Sequence, residues 1–254
     1  MSKVNINGVW KDLDKVFVNI GGIWKEAEKM FCNIGGAWKE VEGLKPDPFT
    51  LIFTSSQNWV VPPGVDKVDV TIVGGGTKGG DSNYSGFNNW YGGDGGKAGE
   101  VKNFTNVPIS STTINIVVGA AGGISSFGGN SAGANGNAGG LGAYSYYNSS
   151  YSRATRGKDG IAGVNGVVYG GSGGGGGIDG MQIGSTLMYI PGAGGNGGGG
   201  SGAGGSVVSN TPRHGYPGTP NTGGGGGGGA PSYQDVLGKG GAGGTGIVIV
   251  KFNG

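Results

Sequence analysis

Glycine has no side chain to bury and loses more conformational freedom on folding than any other residue. A chain with 67 Gly among 254 residues therefore cannot build most of its interior from side chains. The Gly are concentrated after Pro46, in runs such as "VYGGSGGGGGIDG" and "GGAGGTGIVIVKFNG", far above the usual level of roughly 7%. Ten Pro are too few for a collagen repeat. Five Trp, ten Tyr, eight Phe and only 13% charged residues do not fit a disordered segment, which is aromatic-poor and charge-rich.

The spacing of the Gly suggests how such a chain folds. Gly133, Gly136, Gly139 and Gly142 recur every third residue, as do Gly157, Gly160, Gly163 and Gly166, and the shorter run Gly93, Gly96 and Gly99. In "GKGGAGGTGI", Lys239, Ala242 and Thr245 keep the same period with Gly pairs between them. Period three is that of the polyproline II helix, which rises about 3.1 Å per residue and makes no internal hydrogen bonds. Packed side by side, such helices can bond N–H to C=O between neighbours, and only Gly fits where backbones approach so closely. The expectation is a core of backbone packed on backbone.

Ordinary strands flank this material. Val68, Val70 and Ile72 alternate, as do Ile114, Ile116 and Val118. In "TGIVIVKF", Ile247, Ile249 and Lys251 share one side and Val248 and Val250 the other. The predicted fold is mostly β plus packed threefold helices. Strands lie within 51–75, 101–119 and 246–252, and a helix bundle with loops spans 120–245. The segments interrupting the Gly blocks, 81–94, 143–158, 178–192, 206–222 and 230–239, are rich in Tyr, Ser, Asn and Trp. That is the chemistry of paratope loops, where aromatics give contact area at low entropy cost. Consecutive loops are expected to alternate between the two ends of the bundle.

The first 45 residues differ. "VNINGVWKDLDKVF", "VNIGGIWKEAEKMF" and "CNIGGAWKEVEGLK" repeat every 14 residues, marked by Trp10, Trp24 and Trp38. Asn7-Gly8, Gly21-Gly22 and Gly35-Gly36 are type I′ hairpin signals; Asp14-Lys15 and Glu28-Lys29 are weaker ones. The pattern predicts an antiparallel meander of about six strands with Asn5, Asn19 and Asn33 opposite Trp10, Trp24 and Trp38. Neither face is wholly polar, so residues 1–45 read either as an attachment or oligomerisation module or as a small domain packing on the rest of the chain. The Pro-containing stretch 46–50 is a linker.

No sequence feature points to catalysis or to a cofactor. The only His, His214, sits in a Pro-flanked loop, and Asp and Glu are sparse. "GGKAG" lacks a Ser or Thr after Lys97, and the GxGxxG matches follow from composition alone. One β-roll-like unit ending at Asp179 has no second copy. A single Cys, Cys32, excludes an internal disulfide framework. A net charge of +2 gives no electrostatic footprint for nucleic acid. No apolar stretch is long enough to span a membrane, and "MSKVNINGVW" is not a signal peptide. We therefore expect a non-enzymatic protein with no cofactor or metal, made in a cytoplasm.

"SSQNWVVPPGVDKVDVTIVGGG", "VPISSTTINIVVGAAGG", the repeated Gly blocks and the closing "GGAGGTGIVIVKF" resemble the glycine-rich domains of bacteriophage tail fibre and tail tip proteins. They are similar in particular to the long tail fibre adhesin of T-even-like phages. The resemblance covers about 51–254 and implies a sandwich of polyglycine II helices. It also implies distal loops that contact a host receptor, glycan or protein, and a place at the tail fibre tip of the virion. The contact residues it implies are Tyr84, Phe87, Trp90, Tyr91, Tyr144, Tyr146, Tyr147, Tyr151, Tyr189, His214, Tyr216 and Tyr233. An N-terminal region would attach to a tail fibre or baseplate protein, here residues 1–45 with Trp10, Trp24 and Trp38, although their Trp-hairpin repeats depart from the T-even pattern. Two other readings remain open at this point: a non-binding structural or assembly protein of the fibre, and an ice-binding polyproline II bundle.

Overall fold

The computed structural model describes residues 3–6, 9–12, 17–20, 22–27, 31–40, 46–85, 89–146, 150–178, 182–183, 186–187, 190–204, 213–231 and 237–254. It is mostly β, with several antiparallel sheets and no helix among the described residues.

Three hairpins come first: β1 (Lys3–Ile6) with β2 (Val9–Asp12), β3 (Phe17–Ile20) with β4 (Ile23–Glu26), and β5 (Phe31–Ile34) with β6 (Ala37–Glu40). Their register sets Asn5, Asn19 and Asn33 opposite Trp10, Trp24 and Trp38, as the repeat predicts. Gly35 and Gly36 both have positive φ, 62° and 86°, which a type I′ turn requires. The Asn of the repeat closes the turn: Asn33 Oδ1 accepts from the Gly36 N–H at 3.0 Å, and Asn19 Oδ1 from the Gly22 N–H at 2.9 Å. The expected continuous meander is replaced by three separate two-stranded sheets. The turns expected between hairpins, Asp14-Lys15 and Glu28-Lys29, lie outside the described residues, and unlike Asn-Gly and Gly-Gly they hold no glycine, the residue that most readily takes positive φ.

Next comes a sandwich of two four-stranded antiparallel sheets. Its strands begin with β7 (Phe49–Phe53), β8 (Gln57–Val60) and β9 (Lys67–Val73). After two short strands, β10 (Asn83–Tyr84) and β11 (Trp90–Tyr91), they continue with β12 (Val101–Pro108), β13 (Thr113–Val117), β14 (Ser125–Phe127) and β15 (Asn130–Ala132). The remaining short strands pair as β16 (Tyr144–Tyr146) with β17 (Ser150–Ser152), β18 (Ile161–Ala162) with β19 (Val168–Tyr169), and β20 (Gln182–Ile183) with β21 (Thr186–Leu187). The last strand is β22 (Ile247–Phe252). One sandwich sheet has the order β12-β9-β22-β7 and the other β15-β14-β13-β8.

Between the sheets lie Val68, Val70, Ile72, Val248, Val250, Phe252, Ile116 and Phe127, all at most 2% exposed, with Trp59 against Phe49, Phe53 and Phe127. The alternate residues of β9 and β22 are buried on the opposite face, where Val73, Ile247 and Ile249 pack with Tyr169 of β19. Val164 N–H donates to Thr71 Oγ1 at 2.8 Å and Asn103 Nδ2 to Ala162 O at 2.9 Å, so the β18–β19 hairpin is tied to the sheet. The side-chain core thus reaches Ala132, beyond the expected boundary at 120, because "SSFGGNSA" pairs as a hairpin onto β13. The period-three run 157–166 likewise ends early: Gly166, with φ 80°, is the turn of the β18–β19 hairpin.

The rest is a glycine block. Segments 74–81, 92–100, 133–143, 154–160, 170–178, 191–196, 198–204, 213–219, 223–231 and 237–246 contain neither helix nor strand, yet they bond to one another at every third residue. Gly74, Thr77 and Gly80 N–H donate to the carbonyls of Glu100, Lys97 and Asp94. Gly76, Gly79 and Ser82 donate to Gly244, Gly241 and Gly238, and Gly171, Gly174 and Gly177 to Gly197, Gly200 and Ala203.

Two segments are buried along their whole length, 170–178 and 223–231, and they hold the two longest glycine runs, 173–177 and 223–229. Segment 223–231 is bonded to 74–81 through Gly226 and Thr77, to 92–100 through Gly96 and Gly226, and to 170–178 through Gly225 and Gly171. It is also bonded to 198–204 through Gly200 and Gly225, to 213–219 through Gly227 and Tyr216, and to 237–246 through Gly241 and Gly227. Gly224 to Gly229 do not have the left-handed φ; they are Gly because there is no room. A Cβ on Gly226 would overlap the carbonyl oxygen of Gly241, and one on Gly173 that of Gly226.

Candidate functional site

The direction of each segment follows from its hydrogen bonds. Segment 92–100 runs antiparallel to 74–81, and 133–143 antiparallel to 92–100, since Gly92, Gly95 and Ala98 donate to Ala143, Gly140 and Asn137. Segment 170–178 runs parallel to 133–143, through Gly140 to Gly173 and Ala143 to Gly176. Carried through the block, this sets every loop base at one level. Ser82 N–H reaches Gly238 O, Gly92 reaches Ala143, Ala143 reaches Gly176, Gly177 reaches Ala203, Ala203 reaches Gly228 and Ala230 reaches Arg213. The segments between those bases, 82–91, 144–153, 179–190, 204–212 and 231–237, therefore leave from one end of the block. The other end receives β9, β12, β15 and β22 and the tight turns at 196–198 and 219–223.

This corrects the expectation that consecutive loops alternate between ends. The chain descends and returns between one Tyr-rich loop and the next, so short turns occupy the lower end. A clue was present in the sequence: each stretch between such loops holds two glycine runs.

Two of the loops merge. β10, β11, β16 and β17 form one four-stranded antiparallel sheet. It brings together Tyr84, Trp90, Tyr91 and Tyr144, with Tyr146 and Tyr151 on the same strands. Cross-strand pairing defines its faces. Tyr84 lies opposite Trp90, their ring centroids 4.4 Å apart, and Trp90, like Ala154, packs against the buried pair Ala143 and Ile178. Tyr91 lies opposite Tyr144, and Tyr144 opposite Ser152. These three line an open groove of about 620 Å³ with Gly92, Asp94 and Leu141. Asp94 Oδ1 accepts from the Gly142 N–H at 2.7 Å, which fixes the carboxylate at the groove wall.

The remaining predicted contacts fall elsewhere. His214 and Tyr216, expected in a loop, sit on the hydrogen-bonded segment 213–219 at the flank of the block. His214 Nδ1 accepts from the Lys239 N–H at 3.0 Å. Tyr216 is exposed while its backbone bonds to Ser201 and Gly227. Phe87, Tyr147, Tyr189 and Tyr233 lie outside the described residues. Of the repeat tryptophans, Trp38 is 71% exposed, and Trp10 and Trp24 are located by backbone pairing. Leu141 and Asp94 were missed by sequence reasoning: Leu141 lies on a glycine segment outside the stretches searched, and in 81–94 only the aromatic residues were singled out, not the closing Asp94.

Side-chain ties steady the loop end. Asp81 Oδ1 accepts from Lys78 Nζ at 2.6 Å and from the Gly240 N–H at 2.8 Å; these bonds, the lysine's first, hold its carboxyl below the usual value. Among the described residues no group of His, Cys, Asp and Glu is placed to hold a metal ion.

Residues 52–253 match a family of glycine-rich domains. No curated protein is matched by the chain.

Proposed function

The chain belongs to the glycine-rich domain family, and on that premise we propose that it is a receptor-binding adhesin of a phage or phage-tail-like particle, carried at the tip of a tail fibre. The glycine block, in this reading, is a bundle of polyglycine II helices, left-handed and threefold. Hydrogen bonds at every third residue between segments outside any sheet support that assignment, as does the absence of left-handed φ from Gly224 to Gly229. Rods of eight residues would be about 25 Å long. They hold the loops away from the sandwich, where the chain's N-terminal part enters.

The observation that carries the reading is that the bases of the Tyr-, Asn- and Ser-bearing loops lie at one end of a hydrogen-bonded block. A scaffold presenting such loops is a common binding architecture. Binding proceeds without chemistry, to a host cell-surface glycan or protein. The hairpins of residues 1–45 serve as the attachment module to a tail fibre or baseplate protein. Phe17, Val18, Ile20, Ile23 and Trp38 leave apolar surface exposed, and an isolated two-stranded hairpin is at best marginally stable in water.

The test is adhesion of the purified chain to whole cells, with 82–91 and 144–153 each replaced by Gly-Ser linkers. Loss of adhesion is expected from chains that still melt cooperatively; replacing 82–91 lowers the melting temperature because it also removes Trp90 from Ala143 and Ile178. Equal adhesion by both replaced chains would overturn the reading.

A further inference from the structure

The geometry points to the groove beneath the tip sheet as a subsite for a neutral oligosaccharide, two or more uncharged sugar rings long. This deepens the adhesin reading and rests on it. Tyr91 and Tyr144 stand on neighbouring strands, directly opposite in register, and adjacent strands lie about 4.8 Å apart. Their rings are therefore consecutive in one row, which Ser152 extends on the next strand. Both tyrosines are only partly buried, and Tyr144 is 37% exposed. Tyrosine offers an apolar face with a hydrogen-bonding tip. That combination matches a pyranose ring, which has an apolar C–H face and a rim of hydroxyls.

The groove floor supports an extended, shallow ligand. Gly92 and Gly142 have no side chains because a Cβ there would overlap the carbonyl oxygens of Gly176 and Gly92. The floor is thus smooth main chain, fixed by the packing of the block and open on the Leu141 side, where that side chain is 63% exposed. The volume, about 620 Å³, is within the usual range for small-ligand sites.

Charge selects among sugars. Among the described residues that line the groove, Asp94 is the only ionisable group besides the two tyrosines, and none is Lys, Arg or His. A fixed carboxylate with no cation among the described lining residues repels uronates, sialic acids and phosphorylated sugars, whereas neutral hexoses and N-acetylhexosamines meet a carboxylate acceptor, hydroxyls, aromatic faces and the aliphatic Leu141 and Ala143. An anionic or peptide ligand would find no complementary charge here.

The experiment measures binding of maltotriose, chitotriose and trigalacturonate to the intact chain by saturation-transfer NMR and calorimetry, alongside whole-cell adhesion. At least one neutral trisaccharide should bind and should compete with adhesion, and trigalacturonate should not bind. Tyr144→Ala is expected to weaken the neutral sugar at least about tenfold. Leu141→Glu, at an exposed position that leaves the core untouched, should do the same without changing the melting temperature. Asp94→Asn, which retains an acceptor for Gly142, should narrow the neutral-over-anionic preference about fivefold. Tyr216→Ala, on the flank, should change nothing. Failure of every neutral trisaccharide to bind, or binding unaffected by Leu141→Glu, overturns the inference. If cells are still bound after Tyr144→Ala and Leu141→Glu and no sugar competes, the groove is wrong while the adhesin reading stands. If a neutral sugar binds the groove but no cell is bound, the groove stands and the adhesin reading falls.

Discussion

The sandwich and the glycine block solve the same problem with opposite materials. In the sandwich, Val70, Ile72, Val248 and Val250 are fully buried, and apolar side chains fill the space between sheets about 10 Å apart. In the block, segments 170–178 and 223–231 are buried as completely, and their inner glycines, such as Gly173 and Gly226, are surrounded by main chain. Side-chain cores are held by apolar area removed from water. The block buries mostly amides, which is tolerable only because each N–H and C=O finds a partner, as those of Gly226 do in Thr77 and Gly96. The two cores should therefore fail in opposite ways, the sandwich when atoms are removed and the block when atoms are added.

Gly226→Ala gives the largest expected effect. The added methyl would overlap Gly241 O, and moving the segment aside would break the bonds from Gly226 N–H to Thr77 O and from Gly96 N–H to Gly226 O. Overpacking at about 1–3 kcal/mol and two buried groups left unpaired at about 1–3 kcal/mol each together cost about 3–9 kcal/mol. Calorimetry should show the block melting separately from, or well below, the wild-type transition. A melting temperature within a degree of wild type would remove the distinction between the two cores. Ile72→Ala, the matching deletion in the sandwich, should cost about 2–5 kcal/mol, read from a denaturant midpoint that falls at constant slope. An Ile72→Ala cost near zero would mean that the sandwich is held by its connection to the block.

The same contrast explains what could be read from the sequence. The alternation of Val68, Val70 and Ile72, and of Val248 and Val250 against Ile247 and Ile249, identifies strands and even the two faces they bury, because side chains encode burial. The Asn-Gly and Gly-Gly turns encode hairpin register through φ. Within the block no side chain marks which neighbour a glycine faces, so the pairing of segments was not legible in advance, and the common end of the loops was marked only by the two glycine runs between one loop and the next. One signal was overlooked. The longest glycine runs, in "GGSGGGGG" and "GGGGGGGA", mark the fully buried segments, while Lys239 and Ala242, three apart, mark an outer one whose side chains face solvent. Gly163 and Gly166 show the limit of period three as a guide, since Gly166 serves a turn.

Turn glycines sharpen the comparison further. At Gly35 a Cβ would meet nothing within 4 Å, and the residue is Gly only because φ is 62°. Gly35→Ala should therefore cost about 1–2 kcal/mol of left-handed strain, confined to its own hairpin. Chemical shifts should change in 31–40 and leave the block's untouched. Propagation of those changes into segments 223–231 or 170–178 would mean that the hairpin and the block are coupled.

The smallest effect concerns pH. Backbone amides do not titrate, so a core made of them should be nearly indifferent to acid, apart from side chains that tie its rods together. Asp81 is such a tie. Its carboxyl is lowered from 3.8, first by the bond from Lys78 and then by the Gly240 N–H. A lowered folded pKa means that the unfolded chain binds the proton more readily. The contribution is therefore complete above about 3.8 and is lost as pH falls through the lower folded value. The Asp81 side chain is 51% exposed, so solvent screening reduces the gain to a few tenths of a kcal/mol. The stability difference between wild type and Asp81→Asn should be constant from pH 8 to about 5 and shrink toward zero near pH 2. A difference that instead grows on acidification would show that this carboxylate destabilises the block, and that the loop end is held by its main chain alone.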